Sequence, residues 1–276
     1  MTIDAHLHLW VKDPENYPWH PIGGYIPETA APLSNYQKVM DMNGIDGAVL
    51  VQPTPYGWDN SYLLYCKNTD PEKFKAVVLI DPFSESAPEN LQQLIKLGAD
   101  GLRINLHLQP LQEWENNFFY RLLESCVILQ VPVCFQLTPD YLKFLNRLAV
   151  KFPTKFIIDH LGRPKAGSHP TDENFMDLLA LSEHTNIYIK LSGMNYFSTE
   201  TAPYRDTWNL LETAEEYFSP DHCMWGSDYP FVEDHWSFKE NLNLIRNSLH
   251  FTKDELDFIL NKTARSLWWN SNPKGI

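Results

Sequence analysis

The chain has 276 residues, 43% hydrophobic and 21% charged, a size that suits one large domain or two small ones with an ample core. A formal net charge of −13 without a basic run excludes nucleic acid and anionic membranes as main partners, though not a small anion held by one or two arginines. No run of ~18 apolar residues is long enough to span a membrane, and no basic or apolar leader precedes the first predicted strand.

The first β-type run covers residues 3–9, where His6 and His8 stand in an alternating apolar stretch. Side chains two apart on a strand share a face at roughly 7 Å, so the two imidazoles can grip one metal ion or one polarised substrate oxygen. After the Pro-rich loop 14–32, Ser34-x-x-Gln37 predicts a capping box on a helix that stops at Gly44. Run two (47–52) ends on Gln52 and is followed by Pro53-Thr54-Pro55-Tyr56-Gly57-Trp58 and a helix over 60–68. Run three (76–80) precedes a helix over 88–97 with Gly98 as its stop, and run four (101–106) precedes an amphipathic stretch at 117–129.

Run five (131–137) leads into Thr138-Pro139-Asp140, which reads as N-cap, N1 proline and first-turn acid. Run six (156–160) ends in Leu161-Gly162-Arg163-Pro164, with a helix over 173–184. Run seven (187–191) is followed by a helix over 207–217. Run eight (223–228) is followed by helices over 238–249 and 253–268, the last capped by Thr252-x-x-Glu255. The four cysteines, Cys66, Cys126, Cys134 and Cys223, form no C-x-x-C pair and fall within predicted elements. They read as packed thiols in a cytoplasmic protein.

Eight strand–helix units in a chain of this length predict a (β/α)8 TIM barrel, taken as a single domain over 1–276. An open doubly wound sheet would want a Gly-rich loop after its first strand, where His8-Leu9-Trp10-Val11 stands. Barrel active sites are built at the C-terminal strand ends, and polar residues collect there. His6 and His8 close run one, Gln52 run two, His160 run six and Asp228 run eight, and Gln136 lies near the end of run five. Arg103, Asn105 and His107 alternate along run four. Runs one and eight are neighbours in a closed barrel, which lets Asp228 face His6 and His8.

Asp4-Ala5-His6-Leu7-His8, Ile158-Asp159-His160-Leu161-Gly162-Arg163-Pro164, Lys190-Leu191-Ser192-Gly193 and Trp225-Gly226-Ser227-Asp228-Tyr229-Pro230 together resemble the lactonase-like branch of the amidohydrolase superfamily. Asn261-x-x-Ala264-Arg265-x-Leu267 resembles its closing helix. That branch contains fuconolactonase- and rhamnonolactonase-type enzymes and 2-pyrone-4,6-dicarboxylate lactonases. The resemblance implies that Asp228 activates water, that His6 and His8 line the floor, and that His160 polarises or orients the substrate. Lactone opening asks for the same parts: a base for water, groups that stabilise the carbonyl oxygen, and a proton for the departing alkoxide.

Two departures bear on metal. Arg103 stands where metal-rich relatives carry a bridging lysine or glutamate, and Gln136 where they carry a histidine, so a two-metal site is not expected. The expectation is either no required cofactor or one divalent metal, zinc before others, on His6, His8 and Asp228, with His160 as a further donor.

Arg103 is expected to clamp a substrate carboxylate, with an internal salt bridge as its alternative. Arg163 and His107 are candidates for the same pocket, as are Gln52, Asn105 and Gln136. Tyr56, Trp58 and Tyr229 sit on top-face loops where they can stack on a ring. Lys190 reads as a buried structural ion pair. Asp159 reads as pointing away from His160, behind the site or toward a helix. His20, His169, His184, His222, His235 and His250 read as solvated. Trp268-Trp269 reads as core or as a contact in a homo-oligomer. The expected partner is a small lactone or carboxylate substrate, without nucleic acid or membrane. The alternatives are a metal-dependent non-oxidative decarboxylase, which would want a run-five histidine, and a catalytically silent sugar-acid-binding barrel.

Overall fold

In the computed structural model, which describes residues 1–270, eight parallel strands pair in chain order. They are β1 (Ile3–Leu7), β2 (Gly47–Val51), β3 (Phe74–Leu79), β4 (Gly101–Asn105), β5 (Val133–Gln136), β6 (Phe156–Ile158), β7 (Ile187–Leu191) and β8 (Cys223–Trp225). A parallel bridge between Leu7 and Tyr229, with His8 N donating to Tyr229 O at 2.7 Å and Asp228 N to His6 O at 2.8 Å, brings the last strand back to the first. The sheet is thus a (β/α)8 barrel. The last six residues of the 1–276 span lie outside the described residues.

Parallel strands covered by helices are buried on both faces, and almost every strand residue here is. The faces hold separate apolar clusters. Val49, Val51, Val77, Cys134, Ile157 and Met224 fill the barrel interior with Ile3 and Ala5, whereas Leu50, Val78, Leu102 and Ile104 pack outward beneath the helices. Trp268 belongs to the interior cluster and Trp269 packs against it. A Cβ on Gly101 would stand 3.2 Å from Trp268 Nε1, and one on Gly47 3.2 Å from a Trp269 ring carbon. Both glycines start strands, so the tryptophan pair plugs the N-terminal end of the barrel as core.

Strand β1 breaks the simple alternation. Asp4 pairs with Ala48 and Leu7 with Leu50, so three steps on β1 oppose two on β2. This β-bulge turns His6 to the interior beside Ala5, while Leu7 and Leu9 join the outer cluster. His6 and His8 do share the interior face, but the bulge rather than a regular strand puts them there.

Several predicted bounds move. Runs one, six and eight end two or three residues early, because the apolar pattern continues into buried turns. His160, Leu161, Gly162 and Arg163 all adopt left-handed backbone, and Asp228 has φ 60°. The helix Leu33–Asn43 starts after Pro32 with no side-chain cap, so Ser34 and Gln37 form no capping box. Thr138 heads a 3₁₀ turn, Pro139–Tyr141, also without a side-chain cap. The Thr252–Glu255 box is present, as is the left-handed stop at Gly44.

Truncating a fully packed tryptophan removes its burial and leaves a cavity. We expect Trp268→Ala to cost about 3–5 kcal/mol of unfolding free energy in denaturant titration, as large aromatic-to-alanine changes do. A loss under about 1 kcal/mol would show that the barrel floor does not depend on this ring.

Candidate active site

The C-terminal mouth of the barrel gathers three histidines around one carboxylate. Asp228 Oδ1 lies 3.6 Å from His6 Nε2, 3.5 Å from His8 Nε2 and 3.9 Å from His160 Nε2. The same oxygen is buried without a hydrogen-bond partner among the described residues. Oδ2 accepts a 2.5 Å hydrogen bond from the Tyr196 hydroxyl. Gly226 permits this crowding, since a Cβ there would stand 2.6 Å from His6 Cβ.

Each imidazole is held from behind. His8 Nδ1 donates to Val51 O at 2.8 Å, which turns its Nε2 toward the site. His160 Nδ1 pairs with Ser192 Oγ at 3.0 Å. His6 Nδ1 lies 3.3 Å from Asp159 Oδ1 and 3.0 Å from Lys190 Nζ, so either tautomer of this ring has a partner. Asp159 also takes Lys190 Nζ at 2.9 Å and Arg103 Nε at 3.2 Å.

Burial pushes the His160 imidazole down to about 4, against the pull of Asp228 and Asp159. It drives His6 well below the usual histidine value, with the Lys190 charge acting in the same direction. For Asp228, burial favours the neutral acid but is outweighed by His160, His8 and His6, and the carboxyl ends below its ordinary range. Asp159 is likewise held low, as Lys190, His6 and Arg103 overcome its burial. At neutral pH the centre therefore holds an ionised Asp228 between neutral His6 and His160.

The donor set fits one divalent ion. A tetrahedral zinc with ligand bonds near 2.05 Å has ligand–ligand edges of about 3.3 Å. His6 Nε2 and His8 Nε2 are 3.2 Å apart, and each lies 3.5–3.6 Å from Asp228 Oδ1. Both rings can carry their proton on Nδ1 toward an oxygen, Asp159 for His6 and Val51 for His8, as metal-ligating histidines do.

A cavity of about 310 Å³ opens over the cluster and is lined by His8, His160 and Asp228 together with Arg103, His107, Gln136 and Arg163. Arg103 makes the internal salt bridge, to Asp159, and also faces the cavity. Arg163 lies over the Tyr196 ring at 4.0 Å. Asn105 and Trp58 line a neighbouring cavity instead.

Other candidates do not reach the mouth. Tyr56 is buried, with its hydroxyl bonded to the Val11 backbone and its ring stacked on Trp19 at 4.6 Å. Tyr229 is buried against Tyr36, 5.2 Å between centroids. Gln52 is fully buried, its amide nitrogen bonded to Asp59 O at 2.5 Å. Asp159 turns into the barrel behind the site, not toward a helix: Ile157 lies in the interior cluster and Ile158 in the outer one, so alternation brings Asp159 inside, and the left-handed backbone at His160 brings that ring to the same side. Among the histidines set aside as solvated, His184 and His222 are half-buried, the latter stacked on Tyr188.

The mouth also contains groups that sequence reasoning missed: Tyr196, Tyr25 and Phe231. Tyr196 sits in the 3₁₀ turn just after β7, so the strand-end rule applied one turn further would have found it. Phe231 likewise opens a 3₁₀ turn, Phe231–Asp234, shortly after β8, whereas Tyr25 comes from an irregular loop and carries no such signal.

A model of the amidohydrolase family matches residues 3–268. The chain belongs to that family. It is 27% identical over 228 residues to a 4-sulfomuconolactone hydrolase of Hydrogenophaga intermedia, covering 82% of this chain and 74% of the relative. It is 26% identical over 243 residues to an L-fucono-1,5-lactonase of Burkholderia ambifaria, covering 83% and 80%. A crystal structure of a probable 2-pyrone-4,6-dicarboxylic acid hydrolase from Acinetobacter baumannii, with citric acid bound, superposes with a TM-score of 0.84 at 22% identity, over 96% of this chain and 98% of the other. This amidohydrolase-family enzyme thus has the architecture of its lactonase-like members. No helix among the described residues is long and apolar enough to cross a membrane.

Burial of neutral His160 has a pH signature. Unfolded, the ring titrates near 6.5; folded, near 4. Between those values the unfolded chain binds the extra proton, so this group's contribution to stability falls as pH drops, by at most about 1.4 kcal/mol per unit. Asp4, pushed up to about 6 by burial, acts in the opposite sense, so the readout is a difference between proteins. Urea midpoints from pH 7 to pH 4.5 should fall more steeply for the unmodified protein than for His160→Gln. Parallel curves would show that His160 is not held neutral.

Proposed function

We propose that this amidohydrolase opens a lactone bearing an anionic group, with Asp228 as the base that takes a proton from the attacking water. The observation that carries the proposal is the buried, unpaired Asp228 Oδ1 facing three imidazoles at the base of a cavity. The lactone hydrolases among its relatives support the substrate class.

The order of events follows from the groups present. The substrate lies in the cavity with its carbonyl toward His160 and its anion toward Arg103 and Arg163. Arg103, Lys190 and Arg163 against Asp159 and Asp228 leave one positive charge unbalanced, which suits an anionic substrate. Water gives a proton to Asp228 and its oxygen adds to the carbonyl carbon. The ring C–O bond then breaks, and the proton on Asp228 passes to the departing alkoxide, giving a hydroxy acid whose carboxyl proton is released to solvent. Tyr196, donating to Oδ2, keeps the other carboxylate oxygen turned toward the substrate.

We further propose that His6, His8 and Asp228 hold one zinc ion, the mononuclear alternative that the donor distances favour over metal-free action. When bound, zinc would supply Lewis-acid polarisation of the carbonyl and acidify water. The buried free thiols Cys66, Cys126, Cys134 and Cys223 support a reducing, cytoplasmic setting.

A panel of aldonolactones and carboxylated lactones, followed by acid release in weak buffer, tests the activity. Asp228→Asn keeps the shape and loses the basicity, and turnover on any accepted lactone should fall by about 10²–10⁴-fold. Near-normal turnover with an unchanged acidic limb would assign the base to His160.

A further inference from the structure

A second cavity, about 370 Å³, lies beside the one over Asp228, and the two share Arg103 and Leu108 as a common wall. Asn105 lines it. This residue follows Arg103 by two on β4, so the two side chains share a face at a spacing of roughly 7 Å. A substituent attached directly to a ring held at Arg103 therefore reaches Asn105.

Asn105 is 4% exposed, and neither its amide oxygen nor its amide nitrogen has a hydrogen-bond partner among the described residues. Buried amides are nearly always paired, and one left with both ends open is costly unless a ligand completes it. The remaining walls are largely apolar and aromatic. Trp114 is fixed by donating from Nε1 to Leu106 O at 2.9 Å and packs on Phe83 with centroids 5.0 Å apart. Trp58, 41% exposed, stands at the rim. Asp81 also lines the cavity, its Oδ1 accepting from Phe83 N at 3.0 Å, and its negative charge disfavours a second anion there.

We propose that this cavity is a substrate subsite for a neutral, planar, apolar substituent, an aryl group bearing one carbonyl or amide that pairs with Asn105. The proposal rests on the lactone reading for the rest of the molecule and extends it from a ring to a ring with an arm. The charged group and the arm are then sorted by two residues on the same face of one strand. The anion goes to Arg103 and the neutral arm to Asn105.

Two measurements on the full-length enzyme test this. Carboxylated lactones with and without an aryl-carbonyl substituent are compared by kcat/KM, and benzamide binding is followed by ligand-observed NMR. The substituted lactone should be favoured by about tenfold or more, and Asn105→Leu, similar in size without the amide, should bring that ratio toward one. Benzamide should bind the unmodified enzyme and bind Asn105→Leu about tenfold or more weakly. Phe83→Ala, which removes a wall and leaves the amide, serves for both readouts if Asn105→Leu does not fold. If no lactone is turned over but benzamide binding still depends on Asn105, the subsite stands and the lactone reading falls. A substrate ratio near one in the unmodified enzyme, or benzamide binding indifferent to both substitutions, overturns the subsite.

Discussion

Asp159 lies fully buried with His6 Nδ1, Lys190 Nζ and Arg103 Nε all within 3.3 Å of its carboxylate. Those partners come from β1, β7 and β4, and Asp159 itself follows β6, so one carboxylate ties half the strands together beneath the mouth. Neither cation could stay buried without it, because an uncompensated charge in the interior costs several kcal/mol. The same carboxylate and Lys190 flank His6 Nδ1 as acceptor and donor. Without an ion, a proton on His6 Nε2 points at His8 Nε2 across their 3.2 Å contact, and Lys190 then donates to His6 Nδ1. With an ion, the proton moves to Nδ1 and points at Asp159. The pair therefore serves both states of the ring without moving a heavy atom.

The seam between β8 and β1 supplies the other half of the centre. Asp4 accepts from Ser227 N at 2.8 Å, Ser227 Oγ at 2.5 Å and Tyr36 Oη at 2.9 Å, which fastens the turn after β8 behind β1. Gly226 lets the backbones approach, the bulge turns His6 inward, and the left-handed backbone at Asp228 aims its carboxylate back at the histidines. Left-handed conformations at non-glycine residues cost energy and cluster at functional sites. Of the seven non-glycine residues with positive φ among the described residues, three, His160, Arg163 and Asp228, line the reaction cavity.

The alternation of strands and helices was enough to read the barrel from sequence, and the rule that polar residues collect at C-terminal strand ends was enough to bring His6, His8, His160 and Asp228 to one mouth. What periodicity does not encode is the path of the chain once a strand ends. Asp159 does lie behind the site, one of the two places read for it, but it was set opposite to His160 because alternation was carried past Asp159 into the left-handed turn that begins at His160. Tyr56 and Tyr229 were placed over the site because they lie on top-face loops, yet each packs on its own scaffold, Tyr56 on Trp19 and Tyr229 on Tyr36. Tyr25 reaches the cavity only through an irregular loop that no pattern announces. The β1 bulge is equally silent in sequence, and the shared face of His6 and His8 was right for an incomplete reason.

The account stands or falls on His6, His8 and Asp228 forming a single ion-binding reaction centre. A crystal structure of the zinc-supplemented protein, with anomalous data on both sides of the zinc edge, tests it most directly. One anomalous peak bonded at about 2.0–2.2 Å to His6 Nε2, His8 Nε2 and an Asp228 oxygen, with Gln136 unbound, is the predicted result. Zinc bound elsewhere, a second ion engaging Gln136, or no peak at the mouth would contradict it.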